Sequence, residues 1–284
     1  MNRNESIKAI GFFVGCQEQC RQAEWLVNSI RRNIAEGDKI RIVSMVPEHL
    51  PIRLGLENVE QVGFHVPEFM REVYCADKVL GAAAFEQTVE QRYLWMDVDG
   101  IFLREPEALW GVEIRVNPVD KKNIGELEVS KEVARDTLWQ ELYRYFGISE
   151  GILEAHGQRI RTTVTNESIY PYYNMGMISF LRQKGLFRCA ADGLVTLLDR
   201  DEIRTALQKE RLWAIFFHQA VLSCALIKLY PNGQVAPLPY GMNYPLHLMA
   251  DRPDRIAKSE LISLRYDDYF DNGIPSEWED LFHR

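Results

Sequence analysis

Asp97 and Asp99 are the two side chains in this sequence whose type and spacing best suit chemistry. They close an apolar run, Tyr93-Leu94-Trp95-Met96, with two carboxylates separated by a single valine and followed by Gly100. Residues two apart on an extended chain point to the same side, so both carboxylates can face one ligand while Val98 turns into the core. Two carboxylates held together repel each other unless a proton or a cation sits between them. Their hard oxygens suit Mg²⁺ or Mn²⁺, which keep open positions for phosphate oxygens. A metal held there would stabilise negative charge on a departing diphosphate. The plainer alternative is a pair of solvated aspartates in a turn. The apolar segments on both sides, 93–96 and 101–103, weigh against it.

Such a pair needs a scaffold that holds it at a strand end. Residues 7–15 form a short apolar run ending in glycine, the pattern of a strand buried on both faces. Ala23, Leu26, Val27, Ile30 and Ile34 fall on one stripe of a helix that Gly37 stops. Strands are expected over 40–46 and 59–66. A second helix over about 75–91 buries Ala76, Leu80, Ala83 and Ala84 and leads into the strand 93–96. Strands separated by helices imply an α/β architecture with a largely parallel sheet and right-handed crossovers. Ligands collect at the carboxyl ends of such strands, which is where Asp97 and Asp99 fall. The second half predicts a strand over 112–117 and a helix over about 131–146, with Val133, Leu138, Leu142 and Tyr145 inward. A strand over 177–181 and helices near 186–200 and 213–228 follow. The tail from Pro231, rich in Pro, Gly, Asn and aromatics, reads as loops with short strands. No repeat, low-complexity tract or linker divides the chain.

Composition narrows the classes. Among 284 residues, 33 are Lys or Arg and 41 are Asp or Glu, a net charge of -8. A nucleic-acid binder needs a basic stripe to replace phosphate counterions, so that partner class is not expected. No stretch approaches the roughly 18 consecutive apolar residues of a membrane span, and the apolar run 9–14 is too short for a secretory leader and reads as a strand. The five cysteines, Cys16, Cys20, Cys75, Cys189 and Cys224, are odd in number and scattered. Without a nearby Cys/His pair to complete a zinc site, they read as reduced thiols of a cytoplasmic protein.

The segment 93–106, YLWMDVDGIFLREP, resembles the DxD segment of GT-A glycosyltransferases, especially the glycogenin-like and lipopolysaccharide-galactosyltransferase-like retaining enzymes. Three further segments agree in order and spacing. Ala76-Asp77-Lys78-Val79-Leu80 is similar to the family's lysine-bearing helix. Tyr173-Asn174-Met175-Gly176-Met177 is similar to its F-N-S-G strand entry, and Phe217-His218-Gln219-Ala220-Val221-Leu222 to its D-Q-x-x-L helix. The four cover about 70–225. The resemblance implies a single GT-A (nucleotide-diphospho-sugar transferase) domain over 1–284, with a nucleotide-binding half to about 117 and an acceptor-side half beyond. It implies transfer, with retention of configuration, from a nucleotide diphosphate sugar, by resemblance a UDP-sugar, to an acceptor that is a glycan, lipid or protein. Lys78, Asp97, Asn174, Gly176 and Gln219 would contact the donor, with Asn174 and Gln219 beside the reacting carbon. Asp97 and Asp99 would bind Mn²⁺ or Mg²⁺. The family's third ligand is a histidine on a strand reading I-x-H-Y; the similar segment here, 262–268, has none, which leaves Asp267 or His247 for that position. The family's aspartate before the glutamine is His218.

Each of these residues has a plainer reading. Lys78 can be a solvated lysine, Asn174 a turn cap, Gln219 a buried amide bonded to backbone, and His218 a core histidine. Two other functions remain open on the sequence. A catalytically silent nucleotide-sugar-binding module would explain the changed aspartate and the missing histidine. Asp97-Val98-Asp99-Gly100 also matches the D-x-D-G opening of haloacid-dehalogenase-type phosphatases, with Asp97 as nucleophile and Asp99 as general acid, and Asp267, Asp268 and Asp271 as late acidic residues. Against that reading, a complete strand–helix set precedes the motif, and Ile101 stands where a phosphate-binding threonine is expected.

Overall fold

The computed structural model describes residues 8–89, 92–106, 109, 113–124, 133–157, 159–181, 185–267 and 269–282. Ends of four expected elements, at residues 7, 90–91, 112 and 131–132, and Asp268 lie outside them. The first part of the chain runs β1 (Ala9–Phe13), α1 (Gln19–Asn33), β2 (Arg41–Pro47), β3 (Val59–Phe64), α2 (Ala76–Gln87), β4 (Arg92–Met96), β5 (Gly100–Phe102) and β6 (Ile114–Pro118). It continues through α3 (Val133–Phe146), α4 (Glu150–Gly157), β7 (Ile160–Arg161), β8 (Ser168–Ile169), β9 (Tyr173–Leu181), α5 (Leu186–Leu198), α6 (Asp201–Lys209) and α7 (Arg211–Leu229). The tail supplies β10 (Val235–Ala236), β11 (Tyr244–Pro245), α8 (Leu246–Met249), β12 (Ser263–Arg265) and α9 (Tyr269–Asn272).

Seven strands form the central sheet in the order β10-β6-β9-β4-β1-β2-β3. All run the same way except β9, which pairs antiparallel with both β4 and β6. The mostly parallel α/β sheet flanked by helices is the expected architecture. Every residue of β4 is buried, because the strand lies between β1 and β9 and is covered on both faces. Its alternate residues go to different layers. Tyr93 and Trp95 pack with α2, α5 and α7, while Leu94 and Met96 pack with α1. The α1 stripe Ala23, Leu26, Val27, Ile30 and Ile34 is buried as its spacing predicts.

α2 departs from expectation in which face it buries. Leu80 and Ala84 are only partly buried, whereas Lys78, Val79, Ala82, Phe85 and Glu86 are buried. The helix is wedged between the sheet and α5, so a wide arc is covered rather than one stripe. Gly11 permits this contact: a Cβ there would stand 2.6 Å from the Phe85 ring. The sequence reading also missed α4 and α6, and it started β9 at 177 rather than Tyr173.

α7 corrects the reading of apolar stretches. It is the one described helix long and apolar enough to cross a membrane. Its burial is that of a core helix, since Trp213, Phe217, Val221, Leu222, Cys224, Leu226 and Ile227 are all buried within the fold. The five cysteines are unpaired.

A small sheet, β11-β12-β5, sits beside the carboxyl edge of the large one. β5 pairs antiparallel with β12, placing Gly100 opposite Arg265. The tail is thereby fastened to the acidic loop.

Candidate functional site

Strand direction decides which residues share an edge. β4 and β6 end where the antiparallel β9 begins, with Met96 opposite Met177 and Pro118 opposite Tyr173. Asp97, Asp120 and Asn174 therefore emerge side by side. The Asp97 backbone N–H donates to the Gly176 carbonyl at 2.8 Å, which fixes the start of the acidic loop against β9. A Cβ on Gly176 would lie 2.8 Å from Asn174 Oδ1 and 3.2 Å from Asp97 Oδ2. Gly176 thus acts through the side chain it lacks, letting two functional side chains converge; it does not itself line the cavity they open into.

That cavity is about 380 Å³ and is lined by Lys78, Asp97, Asp120, Asn174, His218, Gln219, His247, Arg265 and Asp267, with Tyr74, Lys121 and Phe216 among the rest. Lys78 arrives from the first turn of α2. Its ammonium meets Asp97 Oδ1 in an ion pair whose lysine side chain is only 11% exposed. Burial works to lower the Lys78 pKa, and the Asp97 charge outweighs it, so the lysine is held more firmly protonated than usual.

β12 brings the second cation. Arg265 Nη2 lies 2.5 Å from Asp120 Oδ2 and its Nη1 3.8 Å from Asp267 Oδ2. Burial alone would lower the arginine's pKa; Asp120 and Asp267 raise it instead. Asn174 Oδ1 accepts from the Gly176 N–H at 2.5 Å, and its Nδ2 faces Asp120 Oδ2 at 3.4 Å. The side chain both bonds the backbone two residues on and lines the cavity. Gln219 is placed by α7 with Oε1 buried and without a hydrogen-bond partner.

Asp97 and Asp99 do not share one environment. Asp97 lines the cavity, while Asp99 lies behind Asp267 and is not part of the lining. The β5–β12 pairing causes this: the Tyr266 N–H donates to the Asp99 carbonyl at 3.1 Å, so the tail covers the second aspartate. Asp99 Oδ1 is buried and without a partner. Burial, then the charges of Asp267 and Asp97, push its carboxyl well above the usual range. Asp267 goes the other way. Burial pushes it up, but the His247 contact at 2.9 Å and the Arg265 charge bring it far below the usual range. Both candidates for the third ligand position, Asp267 and His247, are thus in contact with each other.

Three non-glycine residues of the lining occupy the left-handed backbone region, Cys75 at φ 55°, Asn123 at φ 44° and Asp267 at φ 38°. Such conformations cost on the order of 1–2 kcal/mol and persist where surrounding structure imposes them. His218 is buried and its pKa is pushed down to about 3 by burial and the nearby Lys78 charge, so it is neutral at physiological pH. It occupies the place of an acidic residue in the resembling family and carries no negative charge.

Asp120 and Arg265 are among the polar lining residues that sequence reasoning missed, with Tyr74, Cys75, Lys121 and Asn123. Asp120 carried a usable signal, because it follows β6 at the same sheet edge as Asp97. Arg265 carried none: its partner is 145 residues away.

Three metal-ligating side chains are not grouped as a ready shell among the described His, Cys, Asp and Glu residues. The adjacent Asp99 and Asp267 carboxylates, with the orphaned Asp99 Oδ1, are nevertheless chemically suited to one hard divalent cation.

No family model and no curated protein matches the chain. Among solved structures it is similar to the apo form of the bifunctional glycosyltransferase WbbM, at 12% identity and a TM-score of 0.48, over 100% of this chain and 52% of that one. The chain therefore spans about half the length of that protein, and a likeness this distant assigns neither activity nor substrate.

Proposed function

We propose that this protein transfers a sugar from a nucleotide diphosphate sugar, a UDP-sugar, to an acceptor. The observation that carries the reading is the convergence of Lys78, Asp97, Asn174 and Gln219 on one cavity at the carboxyl edge of the sheet. These four come from α2, the β4 loop, β9 and α7, and the resemblance implies donor contact for each of them. Lys78 and Arg265 supply fixed positive charge where a diphosphate would leave, with no reorganisation needed during the reaction. Asn174 and Gln219 offer neutral hydrogen-bonding groups for sugar hydroxyls. Asp99 and Asp267, with Asp97 beside them, would hold Mn²⁺ or Mg²⁺. When bound, the cation would add Lewis-acid stabilisation of the leaving diphosphate.

The test is thermal unfolding with and without UDP plus Mn²⁺. A ligand that binds only the native state raises the melting temperature. The wild type should show a rise, and Lys78→Ala should lose it. No rise with any nucleoside diphosphate, with either metal, would refute the donor site.

One observation favours a second reading, a nucleotide-sugar-binding module without turnover. Asp97 is already neutralised by Lys78, and Asp99 is withdrawn from the cavity. Binding of UDP without any hydrolysis or transfer of UDP-sugars would select it.

A further inference from the structure

A second cavity, about 370 Å³, lies beside the first. They share walls. α8 presents His247 and Leu248 to the first and Met249 to the second, and Thr163 of the second donates from Oγ1 to Asp120 of the first at 2.7 Å.

Two residues give this cavity its character. Tyr240 lines it while 68% exposed, an aromatic face left open to solvent. Asn243 lines it while only 3% exposed, and its side-chain Oδ1 has no hydrogen-bond partner. A buried amide oxygen without a donor is a costly arrangement in the empty protein, and a hydroxyl-bearing ligand would satisfy it.

The loop that carries both residues is fixed. The Gly241 carbonyl accepts from Ile262 N–H at 2.8 Å and Ser263 N–H at 3.1 Å, and Met242 N–H donates to Pro239 O at 3.0 Å. Gly241 itself sits at φ +78° with a would-be Cβ 2.3 Å from the Glu260 carbonyl, so only glycine fits. Ser263 Oγ accepts from the Asn243 N–H at 2.8 Å, and Asn117 Oδ1 accepts from the Leu238 N–H at 3.0 Å. Tyr240 and Asn243 are therefore held in place before any ligand arrives, which lowers the ordering cost of binding.

The charges select the class of ligand. No lysine, arginine or histidine is among the described lining residues, and the one acid, Asp254, is engaged at both oxygens by Arg252 at 2.8 Å. A phosphate or carboxylate would find no counter-charge. A lipid tail has no donor and would leave Asn243 Oδ1 unsatisfied, as it is in the empty protein. A neutral polyhydroxylated ligand meets both conditions, with its C–H face on the aromatic ring and a hydroxyl donating to the amide.

We propose that this second cavity binds a neutral saccharide, the sugar residues of the acceptor, with Tyr240 as the stacking platform and Asn243 Oδ1 accepting from a sugar hydroxyl. Its place in transfer rests on the donor reading above; saccharide binding itself does not. The full chain would be titrated with maltose, lactose and cellobiose by saturation-transfer NMR, with the UDP plus Mn²⁺ melting shift measured in parallel. At least one disaccharide should bind. Tyr240→Ala, an exposed change, and Asn243→Gly, which suits the left-handed backbone of Asn243 at φ 53°, should each weaken it about tenfold, the worth of one aromatic or buried polar contact. Both variants should keep the UDP shift. Should Asn243→Gly fail to fold, Tyr240→Ala decides alone. No binding of any of the three at tens of millimolar, or binding indifferent to Tyr240, overturns the proposal while an intact UDP shift leaves the donor reading standing. Tyr240-dependent binding without a UDP shift would uphold the saccharide site and overturn the donor reading instead.

Discussion

Arg265 reaches Asp120 across 145 residues of chain, guanidinium Nη2 to carboxylate Oδ2 at 2.5 Å, with both side chains largely buried. The pair joins β12 of the small sheet to the carboxyl end of β6 in the large one and forms one wall of the candidate donor cavity. Removing one partner of a buried pair leaves an uncompensated charge, which costs more than the pair contributes.

Arg265→Ala should therefore lower unfolding free energy by about 3 kcal/mol, and Asp120→Ala by a similar amount. The double change Asp120→Ala with Arg265→Ala should lose clearly less than the sum of the single losses. Urea unfolding of the three variants measures this, and additive losses would show that the two side chains are not coupled.

Asp99 makes the opposite prediction. Its carboxyl is pushed well above the usual range by burial and by Asp267 and Asp97. A raised carboxyl stabilises the fold below its unfolded pKa, and that stability is lost as pH rises through the folded value. Asp99→Asn removes the ionisable group, so the metal-free variant should be more stable than wild type at neutral pH by about 1 kcal/mol. The same change should abolish the Mn²⁺-dependent part of the UDP shift. Lower apo stability in Asp99→Asn would mean that the carboxylate is satisfied in solution.

His218 governs an acid limb. Its pKa falls from 6.5 to about 3 through burial and the Lys78 charge. A depressed histidine contributes stability above its unfolded pKa, and that stability drains away as pH falls from 6.5 toward 3. One such group gives a slope of about 1.4 kcal/mol per pH unit within the window. His156, also lowered, by burial, adds to the wild-type slope. His218→Gln should reduce the slope by one proton's worth in unfolding measured from pH 6.5 downward. An unchanged slope would place His218 in contact with solvent.

The chemistry of Asp97 separates transferase from phosphatase. A dehalogenase-type enzyme forms an aspartyl-phosphate there, releases phosphate from simple phosphomonoesters and is trapped by beryllium fluoride. In the transferase reading Asp97 positions Lys78 and the donor, so p-nitrophenyl phosphate should be inert. Hydrolysis of a UDP-sugar should instead give free sugar and UDP. Phosphate release that disappears in Asp97→Asn would overturn the assignment.

The amino-acid sequence by itself determined the layered α/β plan and the location of one half of the site. Local periodicity was enough for this. The α1 stripe buries as spaced, β4 is apolar throughout because it is covered on both faces, and Asp97 falls at a strand end where the parallel sheet collects ligands. Lys78, Asn174 and Gln219 were legible only through resemblance, since each has an ordinary reading in its own element. The tertiary structure alone decided which charges meet. Strand order and the reversal of β9 put Asn174 beside Asp97 and Asp120, and the antiparallel β5–β12 pairing put Asp267 over Asp99 and Arg265 against Asp120. Asp97 and Asp99, two residues apart and equivalent by spacing, end in different surroundings for that reason. Sequence spacing constrains side chains within one element, but pairings between distant strands are set by the closure of the sheet, where burial and opposing charge are first brought together.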